Sequence, residues 1–341
     1  MMNGFTMKRI DVLDYLRGFA LVGIIFINIF QMIPYEHMPQ DYGFWSQLEV
    51  GVLKLIDYGI YGRFYTIFSF LFGIGFYLFI SRAKARGDKA YLLFVRRLLI
   101  LLVFGFIHSK FQPGEALMLY SILGFLLLPL YNLKPAVNLF LGIVILVLGQ
   151  SFGALGMSLS MFVLGLWAGQ SRIFEQVGQY KKRWIIAQVV SLVLIPFGLW
   201  AQYAIIDRTG MLDVGMAAGA IAEDVFYVTS LTLLLQYPFM RKWLMPLNRL
   251  GRMALTNYIM QTVIILTLDA VLGLSGRAYY LILAMIAAEI LLLQMVISTM
   301  WLKRFAMGPL EWIWRLGTYG KIPEHYKSEG KQERQLKNDF Q

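Results

Sequence analysis

Cysteine is absent from the 341 residues, and histidine occurs three times, as His37, His108 and His325. Without cysteine there are no disulfides, no thiolate chemistry and no cluster ligation. Three imidazoles so far apart in sequence argue against a dedicated zinc site. Charge is also scarce, at 15% of residues, where soluble domains carry about 25%. No Walker lysine occurs, which removes ATP-driven pumping by this chain. Phe72-Gly-Ile-Gly-Phe76 lacks the third glycine of a dinucleotide loop and lies in an apolar run, where close helix packing is expected of it. No internal repeat of fixed period is visible, so the inverted-repeat signature of many transporters is missing.

What is abundant is apolar surface. The hydrophobic set makes up 58% of the chain and the mean hydropathy is +0.62. That share, roughly 198 residues, would fill about ten membrane-spanning helices of ~20 residues each. The uncharged runs fall at 18–35, 64–81, 98–109, 116–133, two within 135–171, 184–206, 225–240, 253–268 and 278–302. Within 135–171 the break is expected at Gly149-Gln-Ser-Phe-Gly153. The expected fold is therefore an all-α polytopic membrane bundle of about ten transmembrane helices. Residues 1–320 form one transmembrane domain, with an interfacial amphipathic segment at 308–320, and 321–341 form a polar, frayed tail.

The net charge of +11 would suggest nucleic acid in a soluble protein, but here its distribution excludes that partner. Arg82, Lys84, Arg86, Arg96 and Arg97 follow the second run, Lys181, Lys182 and Arg183 the sixth, Arg241, Lys242, Arg249 and Arg252 the eighth, and Lys303 and Arg304 the tenth. Basic residues collect in cytoplasmic loops, so both termini are expected in the cytoplasm. The first run has full spanning length and no small-residue cleavage site, unlike a signal peptide. At 308–315, a proline at the helix start, Glu311 and Arg315 at i, i+4, and two tryptophans predict a short helix lying on the inner leaflet.

Ionisable and amide side chains at membrane depth are costly and so mark candidate sites. Asp14, Arg17, Asn28 and Gln31 share one face of the first run at 100° per residue, and such a stripe must face protein or water. The fixed charge of Arg17 suits a phosphate or carboxylate. His108 ends the third run with Glu115 close behind, a pairing in which a carboxylate could orient an imidazole for proton transfer. Asn257 and Gln261 form an i, i+4 pair, Asp269 ends their run, and Glu289 sits near the middle of the last one with Gln294 beyond it. Proton relay and hydrogen-bonded helix packing compete as readings of these.

Arg9-Ile-Asp-Val-Leu-Asp-Tyr-Leu-Arg-Gly-Phe-Ala-Leu-Val-Gly-Ile24 with Asn28, Phe68-Ser-Phe-Leu-Phe-Gly-Ile-Gly-Phe76, Arg96-Arg97 with Gly105-Phe-Ile-His108, Gly251-Arg-Met-Ala-Leu-Thr-Asn-Tyr258 with Gln261, and Gly308-Pro-Leu-Glu-Trp-Ile-Trp-Arg315 together resemble the YeiB-like bacterial membrane proteins, a domain of unknown function. The resemblance covers about residues 8–320, and its last block is the most specific. That family is similar to transmembrane acyltransferases, of the heparan glucosaminide acetyltransferase type and, more distantly, the bacterial polysaccharide O-acetyltransferases. The resemblance implies transfer of an acyl (acetyl) group from cytoplasmic acyl-CoA to an extracytoplasmic acceptor such as a sugar, in the bacterial cell membrane. Acyl-CoA would be a co-substrate, with no tightly bound cofactor and no metal. It also implies binding by Arg17, which matches the arginine of the Leu-Arg-Gly motif, and catalysis by His108, which would be the general base with Glu115, from the reading of the residues above, as the catalytic carboxylate that orients it. Asn28, Asn257, Gln261 and Glu289 complete the expected binding set. Asn28 stands where the distant O-acetyltransferases have a histidine, which either removes that chemistry or moves it to His108. The alternatives are a proton-coupled small-molecule transporter relaying through Glu289, Asp269 and His108, or a non-catalytic assembly protein.

Overall fold

A computed structural model of the chain describes residues 10–320; the expected tail at 321–341 lies outside them. Among these residues the elements are helical: α1 (Asp11–Met32), α2 (Phe44–Gly59), α3 (Phe64–Ala85), α4 (Ala90–His108), α5 (Leu117–Leu130), α6 (Pro135–Leu148), α7 (Gly153–Gln170), α8 (Lys181–Thr209), α9 (Leu212–Leu234), α10 (Pro238–Trp243), α11 (Met245–Arg252), α12 (Ala254–Leu272), α13 (Tyr280–Arg304) and α14 (Pro309–Tyr319), with two short 3-10 turns. The one β pairing among them is an isolated parallel bridge between Glu36 and Tyr279.

Among the described residues eight segments are long and apolar enough to cross a membrane, one of them the broken stretch Phe44–Ala85, and the helices Leu117–Leu130 and Pro135–Leu148 are apolar but shorter. The expected all-helical membrane bundle is what folds, and each of the ten apolar runs coincides with a helix. At 14 residues, α5 and α6 are about 21 Å long, short of the ~30 Å hydrocarbon core. The expected break at 149–153 is a 3-10 turn followed by Gly153 at φ 54°. α14 forms where proline and the amphipathic pattern predicted it.

Several elements depart from the sequence reading. α2, α11 and a separate α10 were not expected, and the eighth run was expected to begin at Val225, whereas α9 begins at Leu212. Glu223 and Asp224 interrupt the apolar run without interrupting the helix, because both are buried against partners at the start of α3, Arg63 just before it and Thr66 in its first turn.

The core is organised around α1. Leu16, Ala20, Leu21, Ile25 and Ile29 are fully buried on it. Its cytoplasm-predicted half packs on α11 through glycines: a Cβ on Gly18 would stand 1.9 Å from the Leu247 carbonyl oxygen, and one on Gly251 1.9 Å from that of Asp14. α3 and α7 meet the same way, at Gly73 and Gly165, which is the packing role expected for the Phe-Gly-Ile-Gly-Phe segment. At the other end of α1, buried Glu49 of α2 accepts the backbone N–H of Met38 at 2.7 Å and of Leu281 at 3.1 Å, tying the loop after α1 to the start of α13.

Candidate functional site

The stripe on α1 lines a cavity. Asp14, Arg17, Asn28 and Gln31 all face a space of about 1720 Å³ bounded by α1, α3, the α4–α5 loop, α5, α12 and α14. Its wall on α1 runs from Ile10 to Gln31, about 32 Å at 1.5 Å per residue, which is the thickness of a bilayer core. The middle is apolar and aromatic, with Phe68, Phe72 and Tyr120.

One end of the cavity is basic. Arg17 donates to Asp14 Oδ1 at 2.8 Å, and Arg82, Arg86, Arg97, Arg252 and Arg315 also reach the wall there, against Asp14 and Glu311 as the acidic members. α14 forms the floor. Its Trp314 indole donates to the Arg97 carbonyl at 2.8 Å while the Arg97 guanidinium stacks 3.5 Å over the same ring. Glu311 does not turn to Arg315 in the described hydrogen bonds but caps α12, accepting Leu255 N–H at 2.7 Å, Thr256 N–H at 3.1 Å and the Thr256 hydroxyl at 2.6 Å. Burial pushes its carboxyl up from the ordinary value, partly offset by those bonds.

The other end holds Gln31, Gly114 and Glu115. Asn28 is buried on the way there, its amide nitrogen without a hydrogen-bond partner among the described residues. Glu115 lies just before α5 and accepts the N–H groups of Leu117 at 2.5 Å and Met118 at 2.8 Å, so its position is set by the orphan donors of a helix start. His108 is brought next to it, Nδ1 to Oε1 at 3.4 Å, and is equally buried. The order along the wall differs from the sequence expectation: Glu115 lines the cavity and His108 stands behind it. The other imidazole nitrogen, Nε2, bonds the Thr262 hydroxyl at 2.8 Å, and Thr262 in turn donates to Gln112. Both ring nitrogens of His108 are thus engaged inside the wall, and Glu115 is the member of the pair that reaches the cavity.

The remaining expected residues lie elsewhere. Asn257 donates to the Leu250 carbonyl and to Ser298 at 3.0 Å, Gln261 donates to Gln294 at 3.0 Å, and Gln294 donates to the Asn257 carbonyl at 2.9 Å. All are buried in the α12–α13 seam and none lines the cavity. Glu289 is exposed on the outer face of α13. Asp269 accepts Ser275 N–H at 2.8 Å and the Ser275 hydroxyl at 2.7 Å, closing the loop after α12. No hydrogen bond among the described residues joins any two of Glu289, Asp269 and His108, so the relay expected of a transporter is not assembled there.

A family model described as "Protein of unknown function (DUF418)" matches residues 168–321. An uncharacterized 39.9 kDa protein of the amylase 3′ region in Bacillus acidopullulyticus is 42% identical, over 94% of this chain and 97% of its own length. The chain belongs to the YeiB-like DUF418 family. Uncharacterized protein YxaH of Bacillus subtilis (strain 168) is 30% identical over 92% of this chain and 95% of its own length. Uncharacterized protein YeiB of Escherichia coli (strain K12) is 25% identical, covering 91% and 96%. No solved structure matches.

This family member also has a polar cluster that the apolar runs did not reveal. Arg63, wholly buried before α3, pairs its Nε with Glu223 of α9, and donates to the Tyr61 carbonyl at 2.5 Å and to Gln202 of α8 at 2.6 Å. The available signal was two adjacent carboxylates within 23 residues that are otherwise uncharged from Val214 onward.

Proposed function

We propose that the protein is a membrane-embedded acyltransferase, in which acyl-CoA enters at the basic end of the cavity and an extracytoplasmic acceptor, such as a sugar, enters at the Glu115 end. The observation that carries this reading is a single cavity, one membrane core in length, with clustered arginines at one end and a buried carboxylate–imidazole pair at the other. Guanidinium forks suit the phosphates of coenzyme A, and the apolar middle suits an acyl chain. The positive-inside pattern turns the arginine end toward the cytoplasm.

In the transfer step the acceptor oxygen bonds to the thioester carbonyl carbon as the C–S bond breaks. The acceptor proton passes to Glu115, and the departing coenzyme A thiolate takes a proton from solvent. His108 holds Glu115 in place through its Nδ1. Asn28 and Gln31, the polar groups nearest that end on α1, would bind the acceptor.

Purified protein in vesicles, given labelled acyl-CoA and candidate sugars, tests this. Glu115→Gln is expected to lower transfer by about 10²–10⁴-fold, with thermal stability showing that the fold is kept. Arg17→Gln should raise KM for the donor more than it lowers kcat. Transfer that is the same in Glu115→Gln, His108→Ala and the unaltered protein would overturn the assignment.

A further inference from the structure

The chain between α2 and α3 breaks deep in the bundle. Phe64, the first residue of α3, packs its ring against Gly23, which is midway along α1, and Gly62 in the break takes φ 85°. Non-helical backbone at that depth is tolerated where it is buried in protein or lines a cavity. Here Tyr61 and Gly62 line the cavity, while Arg63, next in the chain, does not. Behind the wall Arg63 meets Glu223 and Asp224, which lie midway along α9.

Charge and hydrogen counts do not close on this cluster as they stand. Arg63 directs its donors at Glu223, the Tyr61 carbonyl and Gln202, and none of these bonds reaches Asp224. One guanidinium against two carboxylates leaves one negative charge, at a position where an uncompensated ion is strongly disfavoured. Asp224 is 7% exposed, and its Oδ1 has no hydrogen-bond partner among the described residues. Its Oδ2 contacts the Thr66 hydroxyl, and the same hydroxyl contacts the Arg63 carbonyl. That hydroxyl has one proton. A carbonyl can only accept, so if Thr66 donates to Arg63, the contact with Asp224 needs a proton carried by Asp224.

Among the described residues the surrounding groups supply no other cation. α9 itself adds Glu223 and Tyr227, α3 adds Thr66, and Arg63 lies just before it. α8 adds the neutral Gln202, α1 meets Tyr227 through Phe19, and α7 has no ionisable side chain. Asp57 of α2, whose charge also interacts with that of Arg63, is a further acid.

We propose that Asp224 is a buried proton-binding site, and that its proton holds the α8–α9 hairpin closed against the cavity wall at Tyr61 and Gly62. Loss of the proton sets two carboxylates against one guanidinium. The relief open to Arg63 is to divide itself between them, which releases the Tyr61 carbonyl that it holds. The cavity wall thus responds to protonation at a site outside the cavity. This inference does not depend on acyl transfer.

Infrared difference spectra of the reconstituted full chain test the site. The protonated-carboxyl C=O band should be lost in Asp224→Asn and kept in Glu223→Gln. Thr66→Val, which keeps the acid but removes its partner, should shift the band to higher frequency, and it guards against misfolding of the first variant. An unchanged band in Asp224→Asn, a loss in Glu223→Gln instead, or no shift in Thr66→Val would each overturn the site. Because the chain has no cysteine, Tyr61→Cys gives a single thiol at the wall. Relative to a small reference thiol, its maleimide labelling should speed up with rising pH, and in the Asp224→Asn background it should not. An equal pH dependence in both backgrounds would overturn the coupling to the wall.

Discussion

Gly18 and Gly251 set the distance between α1 and α11. A methyl group on either would meet backbone oxygen, not a yielding side-chain tip. Gly18→Ala should therefore cost about 1–3 kcal/mol, the usual range for overpacking, read as a fall in the thermal midpoint in detergent. Gly178→Ala, where a Cβ meets nothing within 4 Å, is the control and should leave the midpoint unchanged. The two glycines belong to segments that carry the family resemblance, Leu16-Arg17-Gly18 and the block beginning at Gly251, and their contact is a physical reason for those motifs. At this scale the sequence was informative about side chains whose neighbours are close along the chain. The α1 stripe could be read from a rotation of 100° per residue, and the pairing of His108 with Glu115 from a separation of seven. Which of the two lines the cavity could not be read, because Thr262, 154 residues away, takes the other imidazole nitrogen.

α14 shows how an element is held by one carboxyl. Glu311 caps α12 from outside the membrane-spanning helices, and burial raises its pKa above the ordinary value. A raised carboxyl means that the folded protein holds this proton more tightly than the unfolded chain does. The stabilising contribution is complete below the ordinary carboxylate range and is lost as pH rises through the raised value. Trp314 fluorescence should report this as a loosening of α14 over that interval, and Glu311→Gln should abolish the pH dependence. α9 shows the opposite limit of legibility. A run of uncharged residues locates a span only when its polar residues lie at the ends. Glu223 and Asp224 break that rule because their hydrogen-bonding partners, Arg63 and Thr66, come from about 160 positions earlier. α2 escaped notice because Glu49, Lys54 and Asp57 interrupt its apolar residues.

For the whole molecule the decisive feature is the cavity, one membrane core in length, and it can be blocked without disturbing the packing around it. A Cβ on Gly75 would meet Arg17 Nη2 at 3.6 Å and nothing closer, so a larger side chain there enters the cavity. Gly75→Leu should shift stability by no more than about 0.5 kcal/mol, yet abolish transfer from donor on one side of a vesicle to acceptor on the other. Retained transfer would mean that the substrates do not share this path.

The sequence by itself determined that the chain is an all-helical membrane protein of the YeiB-like family, because apolar content and helical periodicity are local properties and the bilayer demands both. It also marked the polar residues of α1 that line the cavity. The tertiary structure alone decided which way each helix is turned. Asn257 and Gln261 face a seam and Glu289 faces outward, while Arg63 is enclosed by carboxylates from α9. The reason is that a buried polar group is tolerated only with a partner, and for Arg63 the partner carboxylate lies 160 residues away along the chain.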